Sequence, residues 1–189
     1  MRKPITLLGI FLLVFTLDAL ARDVAGVAIP DRATLADGSQ LTLNGAGVRK
    51  KFFVKVYAGA LYVAEPRRDA AKIIADPGAK RMLMHFLYKE VSHEKQADGW
   101  TRGFKKNTDD PEFDALKARL ENFNNLLVTV KQNDVIRLDY LPRAGTQIWL
   151  NGELKGTIEG DDFHRTLLKV WIGEKPADNS FKKSLLGGS

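Results

Sequence analysis

The chain of 189 residues contains no cysteine. That excludes a disulfide framework, a thiolate metal site, a thiol nucleophile and a lipid-modified cysteine anchor. Its histidines are His85, His93 and His164, too far apart to form a ligand pair at helical spacing, so no metal site is expected. No phosphate-binding loop, dinucleotide fingerprint or G-x-S-x-G elbow is present, and no cofactor is expected. Internal repeats and low-complexity segments are absent too. Beyond the N-terminal segment, no stretch is apolar over the about 20 residues that a membrane-spanning helix needs.

What is present begins at the N-terminus. Arg2 and Lys3 precede an apolar run from Ile5 to Leu17, and Ala19-Leu20-Ala21 follows. A positive start, a short apolar run and small residues at the cleavage positions form the secretory pattern. The run is too short to span a bilayer, and Asp18 ends it. The expectation is a cleavable signal peptide over residues 1–21, a single domain over residues 22–189, and a periplasmic or secreted protein with no transmembrane helix after cleavage.

Lysine and arginine number 29 against 23 acids, a net charge of +6. The basic residues fall in scattered pairs, Lys50-Lys51, Arg67-Arg68, Lys80-Arg81, Lys105-Lys106 and Lys182-Lys183. They make no single stripe with interleaved aromatics, so no nucleic-acid partner is expected. A weak contact with an anionic membrane surface suits this charge better.

The pattern of elements is strands, helices, strands, helix. Asp37-Gly38 and Asn151-Gly152 each sit between apolar segments and predict hairpin turns. Phe52 to Val63 alternates as a strand, with Val54, Val56, Ala58 and Ala60 on one face and Lys55, Tyr57 and Gly59 on the other. Asp69 to Ala75 reads as a short helix, and Met82 to Leu87 as a strand in which His85 is a hydrogen-bonded core residue. Ser92 caps a helix with the stripe Ala97, Trp100 and Phe104. Asp110-Pro111 opens another, whose core face is Phe113, Leu116, Leu120, Phe123 and Leu127. Strands return over Val135 to Leu141, Thr146 to Leu150 and Leu154 to Ile158, and Asp161 caps a last long helix closed by Gly173 and Pro176. The paired acids Asp109-Asp110 and Asp161-Asp162 serve helix starts rather than catalysis. The class is α+β, helices laid on an antiparallel sheet.

One segment invites a chemical reading. Asn44-Gly45-Ala46-Gly47-Val48-Arg49 places two glycines before an arginine. Glycine lets another group approach the backbone, and arginine offers an anion-binding fork. The alternative is a surface arginine at the end of a hairpin.

LNGAGVR followed by FFVKVYAGALYV, together with Trp171-Ile172-Gly173-Glu174, resembles the chalcone isomerase family, and specifically an exported bacterial branch of it. The resemblance implies an open-faced β-sandwich, a large antiparallel sheet under a helical layer with a ligand cleft between them. It implies that Arg49 matches the arginine that helps bind the substrate oxyanion. Tyr57 falls where a threonine helps polarise the ketone through water, Trp100 where a helix tyrosine stands, Asn107 at an asparagine on the same helix face, and Val170 at a late threonine. Trp100 and Val170 have lost the hydroxyl, and Tyr57 carries it on a larger ring. Each lost oxyanion donor typically costs about 10²–10³ in rate. The expectation is therefore a non-catalytic binder of a small amphipathic acid such as a fatty acid, with Arg49, Tyr57, Trp100, Asn107 and Val170 at the ligand. Two alternatives stay open: an isomerase or lyase of an enone-like substrate using Arg49 and Tyr57, and an envelope interaction protein with a closed core.

Overall fold

The computed structural model describes residues 21–188. The expected signal segment lies outside the described residues apart from Ala21. The chain opens with a hairpin of β1 (Ala21–Val24) and β2 (Val27–Pro30). β3 (Arg32–Thr34) turns at Asp37-Gly38 into β4 (Gln40–Lys51), and β5 (Val54–Val63) follows. A short helix α1 (Ala70–Ala75), capped by Asp69, leads to β6 (Lys80–Phe86). After β7 (Glu90–Val91) come α2 (His93–Asn107) and α3 (Asp110–Leu126), then β8 (Val130–Lys131), which pairs with β7. β9 (Val135–Leu141), β10 (Gly145–Leu150) and β11 (Glu153–Ile158) form a meander. α4 (Asp161–Ile172) and α5 (Asn179–Leu185) end the chain.

Seven strands make one sheet in the order β11-β10-β9-β6-β5-β4-β3, antiparallel throughout. The helices α2, α3 and α4 cover one face, so the α+β, open-faced architecture is the one present. The turn chemistry is as expected: Asn151 and Gly152 both take positive φ, +50° and +88°, the geometry of a two-residue hairpin that matches strand twist. The main core packs Met82, Met84, Phe86, Ile136 and Leu138 of the sheet against Phe104, Phe123, Phe163 and Trp171 of the helices.

Several expectations are corrected. Tyr57 and Ala60 do take opposite faces of β5, but both faces are covered, because from Tyr57 onward every residue is buried. Tyr57, Leu61 and Val63 face the helices, while Ala60 and Tyr62 belong to a second cluster with Ile29, Leu41 and Leu43. That second cluster lies under the β1–β2 hairpin, and the Tyr62 hydroxyl donates to the Pro30 carbonyl at 2.9 Å. The cap of α3 is Asp109, one residue before the expected Asp110, accepting from the Glu112 N–H at 2.9 Å. Asp161 is not the cap of α4. Gly160, at φ +96°, takes that place without a side-chain bond, because both acids are engaged elsewhere: Asp161 with Arg165, and Asp162 with Arg119 through two bonds of 2.6 and 2.7 Å. α5 adds an element beyond the strands, helices, strands, helix order that the sequence predicts.

His85 is half-buried on β6, opposite Ala58 and Val135, and makes no side-chain hydrogen bond among the described residues. It is therefore not the hydrogen-bonded core histidine expected. That residue is His164 on α4, stacked on Tyr140 at 4.1 Å with Thr146 Oγ1 at 3.3 Å from Nδ1. Burial, then the charges of Lys80 and Arg165, hold its pKa well below the ordinary value. The unfolded chain takes up a proton at this residue below about pH 6.5 and the folded chain does not. Stability is therefore present above that pH and lost as pH falls through it, by up to about 1.4 kcal/mol per pH unit. Urea unfolding between pH 7.5 and 5 measures the slope, and His164→Gln is expected to flatten it.

Candidate functional site

Arg49 near the end of β4 and Tyr57 on β5 are cross-strand partners. The register slips just beyond Arg49, an irregularity of the kind that increases local strand twist. There the helical layer stands off and leaves a cavity of about 540 Å³, within the range of about 300–1,000 Å³ usual for small-molecule sites. The sheet contributes Val56, Tyr57, Met84 and Phe86 to its wall, α2 contributes Gly99, Trp100 and Gly103, and α4 contributes Val170 and Trp171.

The wall is aromatic and closely packed. The Tyr57 ring meets Phe86 and Phe181 edge-on, each at 5.6 Å. Trp100 makes the same contact with Phe123 at 5.4 Å and Trp171 at 5.1 Å. Trp171 Nε1 donates to the Tyr57 hydroxyl oxygen at 2.9 Å. Burial pushes the Tyr57 pKa up, opposed by the Arg49 charge and the Trp171 bond. Tyr57 therefore stays protonated at neutral pH, and among the described residues its proton goes to no protein acceptor. This hydroxyl can donate to a ligand.

The rim differs in character. Arg49, Lys51, Lys95, Arg102, Lys106 and Lys175 surround the opening, with Glu90 as the single acid. The Arg49 guanidinium bonds the Lys50 carbonyl, and among the described residues it has no carboxylate partner. Of the other five, among the described residues only Arg102 has one, Asp98 at 3.8 Å on an exposed helix face. A second hollow of about 670 Å³ lies beside α1 and the end of α4. Of its five cations three are already engaged, Lys169 with Glu112, Arg165 with Asp161 and Lys182 with the Gly173 carbonyl, and the other two, Lys106 and Lys175, it shares with the first cavity. Among the described residues, Arg49, Lys51 and Lys95 line the first cavity alone and have no carboxylate partner.

Four of the five residues singled out by sequence line this cavity together: Arg49, Tyr57, Trp100 and Val170. Asn107 does not. It follows Trp100 by seven residues on the same helical face, but that places it about 10 Å further along the axis. Its amide donates to the carbonyls of Gly103 at 2.9 Å and Lys175 at 3.1 Å and accepts from Lys175 N–H at 3.4 Å. It ties the end of α2 to the segment after α4 and borders the second hollow.

The glycines before Arg49 also have another use. A Cβ on Gly45 would lie 2.2 Å from the Ser184 carbonyl oxygen, and one on Gly47 2.5 Å from Ser184 Cβ. What approaches these glycines is α5, not a ligand. Sequence reasoning passed over the rim cations of α2, although Lys95, Gly99, Arg102 and Lys106 step along one helix face at spacings of four, three and four. That stripe was the available signal. No group of three acidic or histidine side chains able to hold a metal comes together among the described residues.

An antiparallel sheet under a helical layer, with an apolar cavity opening at one end between them, defines an α+β binding or catalytic fold of the open-faced sandwich type. The chain belongs to the chalcone isomerase-like family, whose sequence model matches residues 21–187. Among solved structures it is similar to a fatty-acid binding protein of Arabidopsis thaliana, with a TM-score of 0.63 at 17% identity over 85% of this chain and 92% of that one. A comparison with the curated proteins finds no match.

Proposed function

We propose that this protein holds a small amphipathic acid, a fatty acid foremost, in the cavity beside Arg49 and performs no chemistry on it. The observation that carries the reading is the combination of an aromatic, apolar wall with a rim of six cations and one acid. A carboxylate at Arg49 gains charge-assisted, bidentate hydrogen bonds, and the Tyr57 hydroxyl adds a neutral donor. Each methylene placed against the wall contributes about 0.8 kcal/mol before ordering costs. Trp100 and Val170 provide wall where the resemblance expects hydroxyls, which favours binding over ketone polarisation. Asn107 acts one step removed, by fixing the end of α2. The fold shared with the Arabidopsis fatty-acid binding protein supports the reading by analogy.

We place the chain in an exported bacterial branch, periplasmic or secreted, on the pattern Arg2 to Ala21; the family match likewise begins at residue 21. N-terminal sequencing of the protein from its native cells tests this, and a chain still starting at Met1 would remove it. For the ligand, solvent extraction of the purified protein followed by mass spectrometry is expected to yield acyl carboxylates. An empty protein with no measurable affinity for palmitate overturns the proposal.

Gly99 sharpens the test. A Cβ there meets nothing within 4 Å, and the residue lines the cavity. Glycine inside a helix costs about 1 kcal/mol relative to a good helix former, so Gly99→Leu is expected to raise stability by a few tenths to about 1 kcal/mol while filling ligand space. Palmitate affinity should fall at least tenfold, read by calorimetry alongside thermal unfolding. Unchanged affinity would place the acyl chain elsewhere.

A second reading, an isomerase or lyase of an enone-like compound, is favoured by one observation: Arg49 and Tyr57 are cross-strand neighbours at one cavity, with the Tyr57 proton free. Turnover equal in wild type, Arg49→Ala and Tyr57→Phe removes it. The ligand-free reading requires a closed core and an internal ion pair at Arg49, and no observation favours it.

A further inference from the structure

The β4–β5 hairpin ends in two phenylalanines, and among the described residues nothing covers them. Phe52 is 88% exposed and Phe53 fully exposed. Phe52 also takes φ +54°, a left-handed conformation that bulky residues rarely adopt and that hairpin turns usually give to Asn or Gly. Phe52 therefore suits neither the turn nor water, and Phe53 does not suit water. Val54 continues the apolar strip at 43% exposure. Lys50, Lys51 and Lys55 flank it, all exposed, and no acid occurs from Arg49 to Lys55. At the base of the hairpin the Asp178 carboxylate is engaged with the N–H groups of Lys50 and Phe181, each at 3.0 Å.

We propose that this hairpin is a membrane-docking tip, which inserts Phe52 and Phe53 among the acyl chains of an anionic bilayer while the three lysines pair with lipid headgroups. An apolar point inside a basic collar matches the layering of such an interface, apolar below and negative above. A second copy of the chain matches it poorly, because a symmetric contact would set one lysine collar against the other. Lys51 and Phe52 also line the cavity, so docking turns the mouth toward the lipid. The proposal does not depend on what the cavity holds, since the tip lies outside it at Phe53.

The test is co-sedimentation of the protein, purified without added ligand, with vesicles of phosphatidylcholine alone and of phosphatidylcholine and phosphatidylglycerol in equal parts. Wild type is expected to bind the mixed vesicles and to be released by high salt. Phe53→Ser is expected to weaken binding at least tenfold with an unchanged melting temperature, because its side chain touches nothing in the fold. Lys50→Gln and Lys55→Gln are each expected to weaken it about fivefold. All variants carry the same N-terminus, so a contribution from that segment cancels. No binding of wild type to mixed vesicles, or equal binding of Phe53→Ser, overturns the proposal. So does light scattering that shows a wild-type dimer dissolved by Phe53→Ser, which would assign the tip to a second copy.

Discussion

Arg49→Ala is expected to weaken palmitate binding about 10- to 100-fold, the worth of a charge-assisted hydrogen-bonded pair at about 1.5–3 kcal/mol. The fold should not notice. Arg49 is half-exposed, near a strand end, and among the described residues bonds only the carbonyl of its own neighbour Lys50, so stability should change by less than about 0.5 kcal/mol. Arg49→Lys keeps the charge and loses the fork, and should fall between the two. Calorimetry on a series of acids separates head from tail. Shortening the chain by one methylene should cost the same few-fold in wild type and in Arg49→Ala, because that loss is set by the apolar wall. The remaining rim cations are exposed, and they attract anions at a distance rather than fix them, so added salt should weaken both proteins alike. An Arg49→Ala protein that binds palmitate as tightly as wild type would show that the anchor is not Arg49.

The elements visible in the sequence are those that carry their own local signals. Asn151-Gly152 dictates its hairpin through two positive φ angles, and Ser92 starts α2 by accepting from the Lys95 N–H. The apolar steps of α3 are buried as their spacing requires, at Leu116, Leu120 and Phe123. What escaped reading depends on tertiary pairing. Asp161 resembles a cap, yet its carboxylate is taken by Arg165, and a glycine with positive φ starts the helix instead. His85 sits in an apolar run but on the sheet face opposite the helices, and no sequence period separates the two faces of a strand buried on both sides. At the site, Arg49, Tyr57, Trp100 and Val170 converge from three different parts of the chain. Asn107 shares a helix face with Trp100 but not a level along the axis. α5 had a signal that was passed over: Asp178 accepts from the Phe181 N–H, and Phe181 and Leu185, one turn apart, are both buried.

That missed helix gives the largest expected effect on the fold. A Cβ on Gly45 would lie 2.2 and 2.6 Å from the carbonyl oxygens of Ser184 and Leu185. Both are backbone atoms, and the Asn44 amide holds Leu185 in place by donating to its carbonyl at 2.7 Å. No rotamer relieves that overlap, so Gly45→Val must push α5 off the sheet. The buried side chains of Phe181 and Leu185 leave with it. Full loss of either contact is of the size of a large-to-small core change, about 2–5 kcal/mol. We expect at least about 3 kcal/mol of destabilisation and a melting temperature lower by about 10 °C. Gly47 provides the control, because its Cβ would meet only the Ser184 side chain, Cβ at 2.5 Å and Oγ at 2.8 Å, with Phe181 at an ordinary 3.7 Å. Gly47→Ala should be destabilising alone and rescued in part by Ser184→Gly, with a coupling of at least about 1 kcal/mol in a double-mutant cycle. Ser184→Gly should give Gly45→Val no such rescue, since the carbonyls remain. The ligand follows the same logic: Phe181 holds the Tyr57 ring edge-on at the cavity wall, so Gly45→Val should lose palmitate affinity together with stability, whereas Arg49→Ala loses affinity alone. Binding that survives the displacement of α5 would mean that the cavity is built by the sheet, α2 and α4 without it.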